Sequence, residues 1–163
     1  MLQSDPFEVS LAHSHAVIIP DTVAHLFLSE KQKRVKVHAS YHDQQIVFYA
    51  ALTAKKNGLC VLMFSKEKQK ALGVFMNDYF TMQLFEDQSK YGVDMPEELE
   101  AVLLSDHDAY IIFENLTPGK QRSIIYAILR YKSSQTRIDK SLILTENLKR
   151  GVTDQKLWLK SNR

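Results

Sequence analysis

The apolar residues of this chain change their period once, near Pro96, which restricts the chain to a fold in which strands come first and helices follow. Before Pro96 they are mostly β-branched or aromatic and fall in short runs between turn residues. Six runs read as strands: 7–12 (FEVSLA), 15–19 (HAVII), 34–41 (RVKVHASY), 44–52 (QQIVFYAAL), 59–64 (LCVLMF) and 79–85 (YFTMQLF). In the third, Val35, Val37, Ala39 and Tyr41 alternate with Lys36, His38 and Ser40, so one face packs and the other meets water. Lys55-Lys56-Asn57-Gly58 links the fourth and fifth runs through the Asn-Gly pair of a tight hairpin.

Two short helices interrupt the strands. In PDTVAHLFLSEKQ, Val23, Leu26 and Phe27 are spaced i, i+3, i+4 behind Pro20 and Asp21. In SKEKQKALG, Ser65 is the expected cap and Gly73 the expected stop. Strand, helix and strand thus occur twice at an offset of roughly 45 residues, with Leu72 opposite Phe27 and the Tyr79 strand opposite the Val35 strand. Neither half can bury its apolar face alone. The economical arrangement is a small split β-barrel with pseudo-two-fold halves and two short capping helices, closed within one chain.

After Pro96 four helices are expected. Pro96 stands in the first turn of one, with Glu97 and Glu98 at its positive end. Ser105 or Asp106 caps the second, with Tyr110, Ile111 and Phe113 as its apolar set. Thr117-Pro118 opens the third, striped by Ile124, Ile125, Ile128 and Leu129. Ser133 or Ser134 starts the fourth, where Ile138, Leu142, Thr145 and Leu148 share a face and Gly151 follows. Connections this short imply a compact helical bundle. The expected organisation is an α+β chain: barrel over 1–92, helical domain over 93–151, and a tail over 152–163 whose Leu157 and Trp158 dock on the body or a partner.

With 45% hydrophobic and 25% charged residues among 163, the chain has globular composition. Its single Cys, Cys60, excludes an internal disulfide or a cysteine-rich zinc site. The start lacks the basic stretch and apolar run of a secretory signal, and no apolar stretch is long enough to span a bilayer; the expectation is a cytoplasmic protein without membrane insertion. The net charge of +2 conceals an asymmetry. From Asp94 to Glu114 there are acidic residues and no Lys or Arg, whereas Lys120 to Arg150 is strongly basic. Either two helical surfaces neutralise each other, or a basic surface faces an anionic partner.

Lys132, Thr136, Arg137 and Lys140 gather donors near the start of the fourth helix, where the dipole and free N–H groups also favour an anion. The competing reading has these groups bridging to the acidic first and second helices. Arg122, Tyr126 and Arg130 form an i, i+4, i+8 row that suits nucleic-acid phosphates, but the small net charge argues against DNA. His13 and His15, two apart on a strand, with His38, His42 and Asp43, lack metal-binding spacing. Cys60, between Leu59 and Val61, reads as a small buried hydrophobe. Walker, GxGxxG and GxSxG motifs do not occur, so no catalytic residue, metal or cofactor is expected.

The run from Met95 to Gly151 resembles the helical domain of the YdeI/OmpD-associated family, also called bacteriocin-protection proteins. The resemblance lies in Pro96-Glu97-Glu98-Leu99, Phe113, Leu116-Thr117-Pro118-Gly119, Arg122, Ile128, the Lys132-x3-Thr136-Arg137-x2-Lys140 array, Leu148 and Gly151. Ala127 stands where members commonly have Trp, and Asp139 where a basic residue is frequent. The preceding region, through VIIPDTVAHL and the LG-x-x-x-x-D segment ending at Asp78, resembles the β-barrel domain that often precedes this one. The resemblance implies a barrel related to AbrB-type swapped-hairpin domains, and association with a porin and protection against antimicrobial peptides.

The expected function is therefore non-enzymatic: binding of a protein or small anionic partner, in an envelope-stress setting, through Lys132, Thr136, Arg137, Lys140 and Arg122. Arg137, with its planar fork, is the central residue, and Arg137→Lys is expected to weaken capture. The alternatives are a transcription-linked DNA binder using the barrel, and an enzyme or ligand carrier with a pocket between the two parts.

Overall fold

The computed structural model describes residues 1–161, and the chain divides into two units, Met1–Gln88 and Ser89–Arg163. Among the described residues of the first unit the strands are β1 (Phe7–Val9), β2 (Leu11–His13), β3 (Ala16–Ile19), β4 (Arg34–Tyr41), β5 (Gln44–Ala54), β6 (Cys60–Met63) and β7 (Phe80–Glu86). Helix α1 (Asp21–Leu28) joins β3 to β4, and α2 (Lys66–Leu72) joins β6 to β7. The strands follow the order β1-β7-β4-β5-β6-β3-β2, all neighbours antiparallel, as a nearly closed barrel.

The register carries the internal repeat. Val17 of β3 faces Leu62 of β6, and His38 of β4 faces Gln83 of β7; each pair is one repeat offset apart, as are Phe27 and Leu72. Equivalent residues meeting at two separate points define an approximate two-fold axis within one chain. Strand β5 bonds to both β4 and β6. Its counterpart is made of two pieces, β1 on β7 and β2 on β3. The 7–12 run, read as one strand, is thus broken at Ser10. At the break the pairing partner changes from β7 to β3, and the corner between β1 and β2 is what brings the barrel close to closure.

A second correction concerns the histidines. Ser14 and His15 form the turn between β2 and β3, so His13 and His15 do not share a strand face. His42 and Asp43 occupy the β4–β5 turn, and among the described residues no group of three metal-ligating side chains gathers. Lys55–Gly58 forms the turn expected, with Gly58 at φ +85° and the Leu59 N–H donating to Asn57 Oδ1 at 3.1 Å.

Phe27 of α1 and Leu72 of α2 are fully buried with Val35, Val37, Leu62, Phe64, Met82 and Leu84, each such burial stabilising by about 2 kcal/mol. Cys60 is buried beside them, and burial pushes its thiol pKa up. Ser65 Oγ accepts from the Lys68 N–H at 3.3 Å, and Gly73 ends α2 at φ +82° with open space where a Cβ would stand. Gly73→Ala is expected to cost about 1 kcal/mol through backbone strain alone, measurable by thermal unfolding.

The second unit comprises α3 (Glu97–Ser105), α4 (His107–Glu114), α5 (Pro118–Leu129) and α6 (Ser134–Lys149). Pro96 is the residue before α3 rather than within its first turn. Asp106, Thr117 and Ser133 cap the next three helices, each accepting a backbone N–H at 3.2–3.4 Å. Leu99, Leu103, Phe113, Ile125, Ile128 and Leu144 form the core, and α6 packs against the other three helices. The face expected on α6 is rotated: Leu142 is 52% exposed, while Ser141, Leu144, Thr145, Asn147 and Leu148 are buried. Ser141 satisfies itself by donating to the Arg137 carbonyl at 2.7 Å, which lets a polar residue take a core position. On α4, Ile111 likewise faces outward, and Ala109 and Phe113 are buried. Among the described residues no helix is long and apolar enough to cross a membrane.

Candidate anion-binding cleft

The residues after α6 return along the helices. A short 3-10 turn, Gln155–Leu157, is capped by Asp154, whose Oδ1 accepts from the Lys156 N–H at 3.0 Å. It delivers Trp158 into the helical core, 3% exposed, where the indole N–H donates to the Val152 carbonyl at 2.7 Å. Buried Asn147 holds this segment from α6: its Nδ2 donates to the carbonyls of Leu157, Trp158 and Lys160 at 2.9–3.0 Å. Leu157, expected to dock alongside Trp158, is 45% exposed.

Between α5, α6 and this segment lies a cleft of about 400 Å³. Its apolar lining is half-buried Ala127 and Leu159, with the edges of buried Ile124 and Trp158 beneath them. Ser123, Tyr131, Gln155 and three lysines, Lys140, Lys156 and Lys160, complete its lining. Among the described residues, no Asp or Glu is in its lining. Lys140 Nζ donates to the Leu159 carbonyl at 3.3 Å and lies 5.6 Å from the centre of the Tyr131 ring. One of its three N–H donors is thereby committed, and the ammonium is positioned by the tail and the ring.

Of the five residues picked from the sequence, Lys140 lines the cleft. Arg137 meets it at Tyr131: its Nε donates to the Tyr131 carbonyl at 2.7 Å and Nη2 to the Leu129 carbonyl at 3.4 Å, while Nη1 pairs with Glu98 Oε1 at 3.6 Å. The guanidinium fork thus holds the last carbonyl of α5 and that of Tyr131 just beyond it, and ties them to α3. Lys132 follows Tyr131 and is exposed. Thr136 and Arg122 are half-buried, the first in the opening turn of α6 and the second beside Ser123 on α5. Sequence reasoning did not find Lys156 and Lys160. The available signal was their spacing of four around Leu157 and Trp158, in a segment too short to carry a helical pattern.

Besides Glu98, two residues of the acidic run are engaged away from the cleft. Asp106 pairs with Lys149 at 2.7 Å, which holds the Asp106 carboxyl below its ordinary pKa, and Glu114 pairs with Lys90 at 3.2 Å. Tyr91 donates to the same Glu114, and burial with this bond pushes the phenol up to about 12. The hydroxyl of Tyr110 and the Glu114 carboxylate raise Lys90. Because both folded pKa values lie above the unfolded ones, this cluster's contribution is fully present below about pH 10 and is lost as the pH rises toward 12. Alkaline unfolding is expected to show a shallower decline for Tyr91→Phe than for the parent chain over that interval.

Residues 92–151 match the family model described as OmdA: Bacteriocin-protection, YdeI or OmpD-Associated. This segment is similar to the YdeI/OmpD-associated domain. The matched residues span α3 to α6 and include Ala127, Tyr131 and Lys140, whereas Lys156, Trp158 and Lys160 follow them. Among solved structures the chain is similar to "The solution structure of PHS018 from pyrococcus horikoshii", with 14% identity and a TM-score of 0.41 over 50% of this chain and 88% of that one. No curated protein matches the chain.

Proposed function

We propose that the protein is a non-enzymatic binding protein whose YdeI/OmpD-associated domain, completed by the tail, receives a carboxylate or phosphate group of a protein or small-molecule partner. The observation that carries this reading is that Lys140, Lys156 and Lys160 line one concave surface with no Asp or Glu among its described lining residues. Among the described residues the lining offers charge and hydrogen-bond donors, and no His, Cys, Asp or Glu to act as a general base. Lys132 and Arg122 add positive potential on approach. Arg137 holds the Tyr131 backbone, and Thr136 belongs to the opening turn of the helix that presents Lys140. The family description supports a protective role, and a cytoplasmic envelope-stress response is the setting we propose for it.

Nuclear magnetic resonance titration of the full chain with acetate and with inorganic phosphate tests this. The largest shifts are expected at Tyr131, Lys140, Lys156 and Lys160, and Lys140→Ala is expected to diminish them. Equal shifts at lysines throughout both units would contradict the site.

A further inference from the structure

On the reading that this cleft holds an anion, we infer that its ligand is an amphiphilic anion: one carboxylate or phosphate head on an apolar body. Lys140, Lys156 and Lys160 line the same cleft of about 400 Å³ as half-buried Ala127 and Leu159, with the edges of buried Ile124 and Trp158 beneath them. That volume lies in the range of small-molecule sites and far exceeds what a bare inorganic ion fills. A bare ion would satisfy the lysines and leave the apolar surface wet. A head with an apolar chain satisfies both, because the chain displaces water from the apolar surface while the head meets the ammonium groups. Ala127 determines how much room the chain has: it is half-buried on α5, and its methyl group leaves open the volume that a larger side chain would occupy.

The shared chemistry is a monoanionic head on a hydrocarbon body, and decanoate represents it, with acetate as the head alone and decanol as the body alone. Isothermal titration of the full chain, below the micellar concentration of decanoate, is expected to show decanoate binding at least about ten-fold tighter than either, since each buried methylene contributes about 0.8 kcal/mol. Ala127→Phe is expected to weaken decanoate about ten-fold and leave acetate unchanged, while Lys140→Ala weakens both. The comparison of the three ligands on the unaltered chain stands whether or not Ala127→Phe folds. Acetate binding as tightly as decanoate would overturn the amphiphile and leave the anion site standing. Decanol binding as tightly as decanoate, or no binding by acetate and decanoate, would overturn both.

Discussion

Trp158→Ala is expected to destabilise the helical unit by about 3–5 kcal/mol, the range for removing a large aromatic side chain from a packed core. The indole is 3% exposed and packs in the same cluster as Phe113, Ile125 and Leu144. Its N–H bond to Val152 is lost as well, leaving that carbonyl without its donor. Because the chain contains one Trp, unfolding of the variant is followed by far-ultraviolet circular dichroism rather than by indole fluorescence. The variant is also expected to lose the cleft, since the segment carrying Lys156 and Lys160 no longer has its anchor. A melting transition within a degree of the parent would show that the segment after α6 contributes nothing to the fold.

Arg137→Ala is expected to cost about 3 kcal/mol. Its partner Glu98 has a side chain only 8% exposed, so removing the guanidinium leaves a buried carboxylate without a counter-charge. The Leu129 and Tyr131 carbonyls lose their donors in the same step. Arg137→Lys retains the charge but not the fork and is expected to recover only part of the loss. Thermal and denaturant unfolding of the two variants measures both effects. Equal stability of Arg137→Ala and the parent would place the weight of the α3–α5–α6 junction elsewhere.

Where one physical signal dominated, the chain's fold was legible in its sequence. The alternation through Val35, Val37 and Ala39 became β4, Asn57-Gly58 became a tight turn, and the spacing of Phe27 and Leu72 exposed the repeat that the strand register repeats in space. The misreadings arose where two signals competed. At Ser10 a continuous run of strand formers concealed a change of pairing partner that only the closed sheet imposes. On α6 hydrophobicity favoured Leu142, yet Ser141 and Asn147 are buried, because their polar groups find backbone partners that a sequence pattern does not display.

The candidate site follows the same logic. Lys140 was legible because helix spacing placed it in a basic array at the start of α6. Its companions were not, since Lys156 and Lys160 reach the cleft only through Trp158 seated in the core and Asn147 holding the chain on either side of it. Arg137, singled out for its fork, uses that fork on the α5 carbonyls and Glu98.

A crystal structure of the full chain grown with decanoate shows whether the cleft takes an amphiphilic anion. A carboxylate is expected within hydrogen-bonding distance of at least two of Lys140, Lys156 and Lys160, with the alkyl chain against Ala127. Decanoate bound only elsewhere on the molecule, with solvent alone filling the cleft, would contradict it.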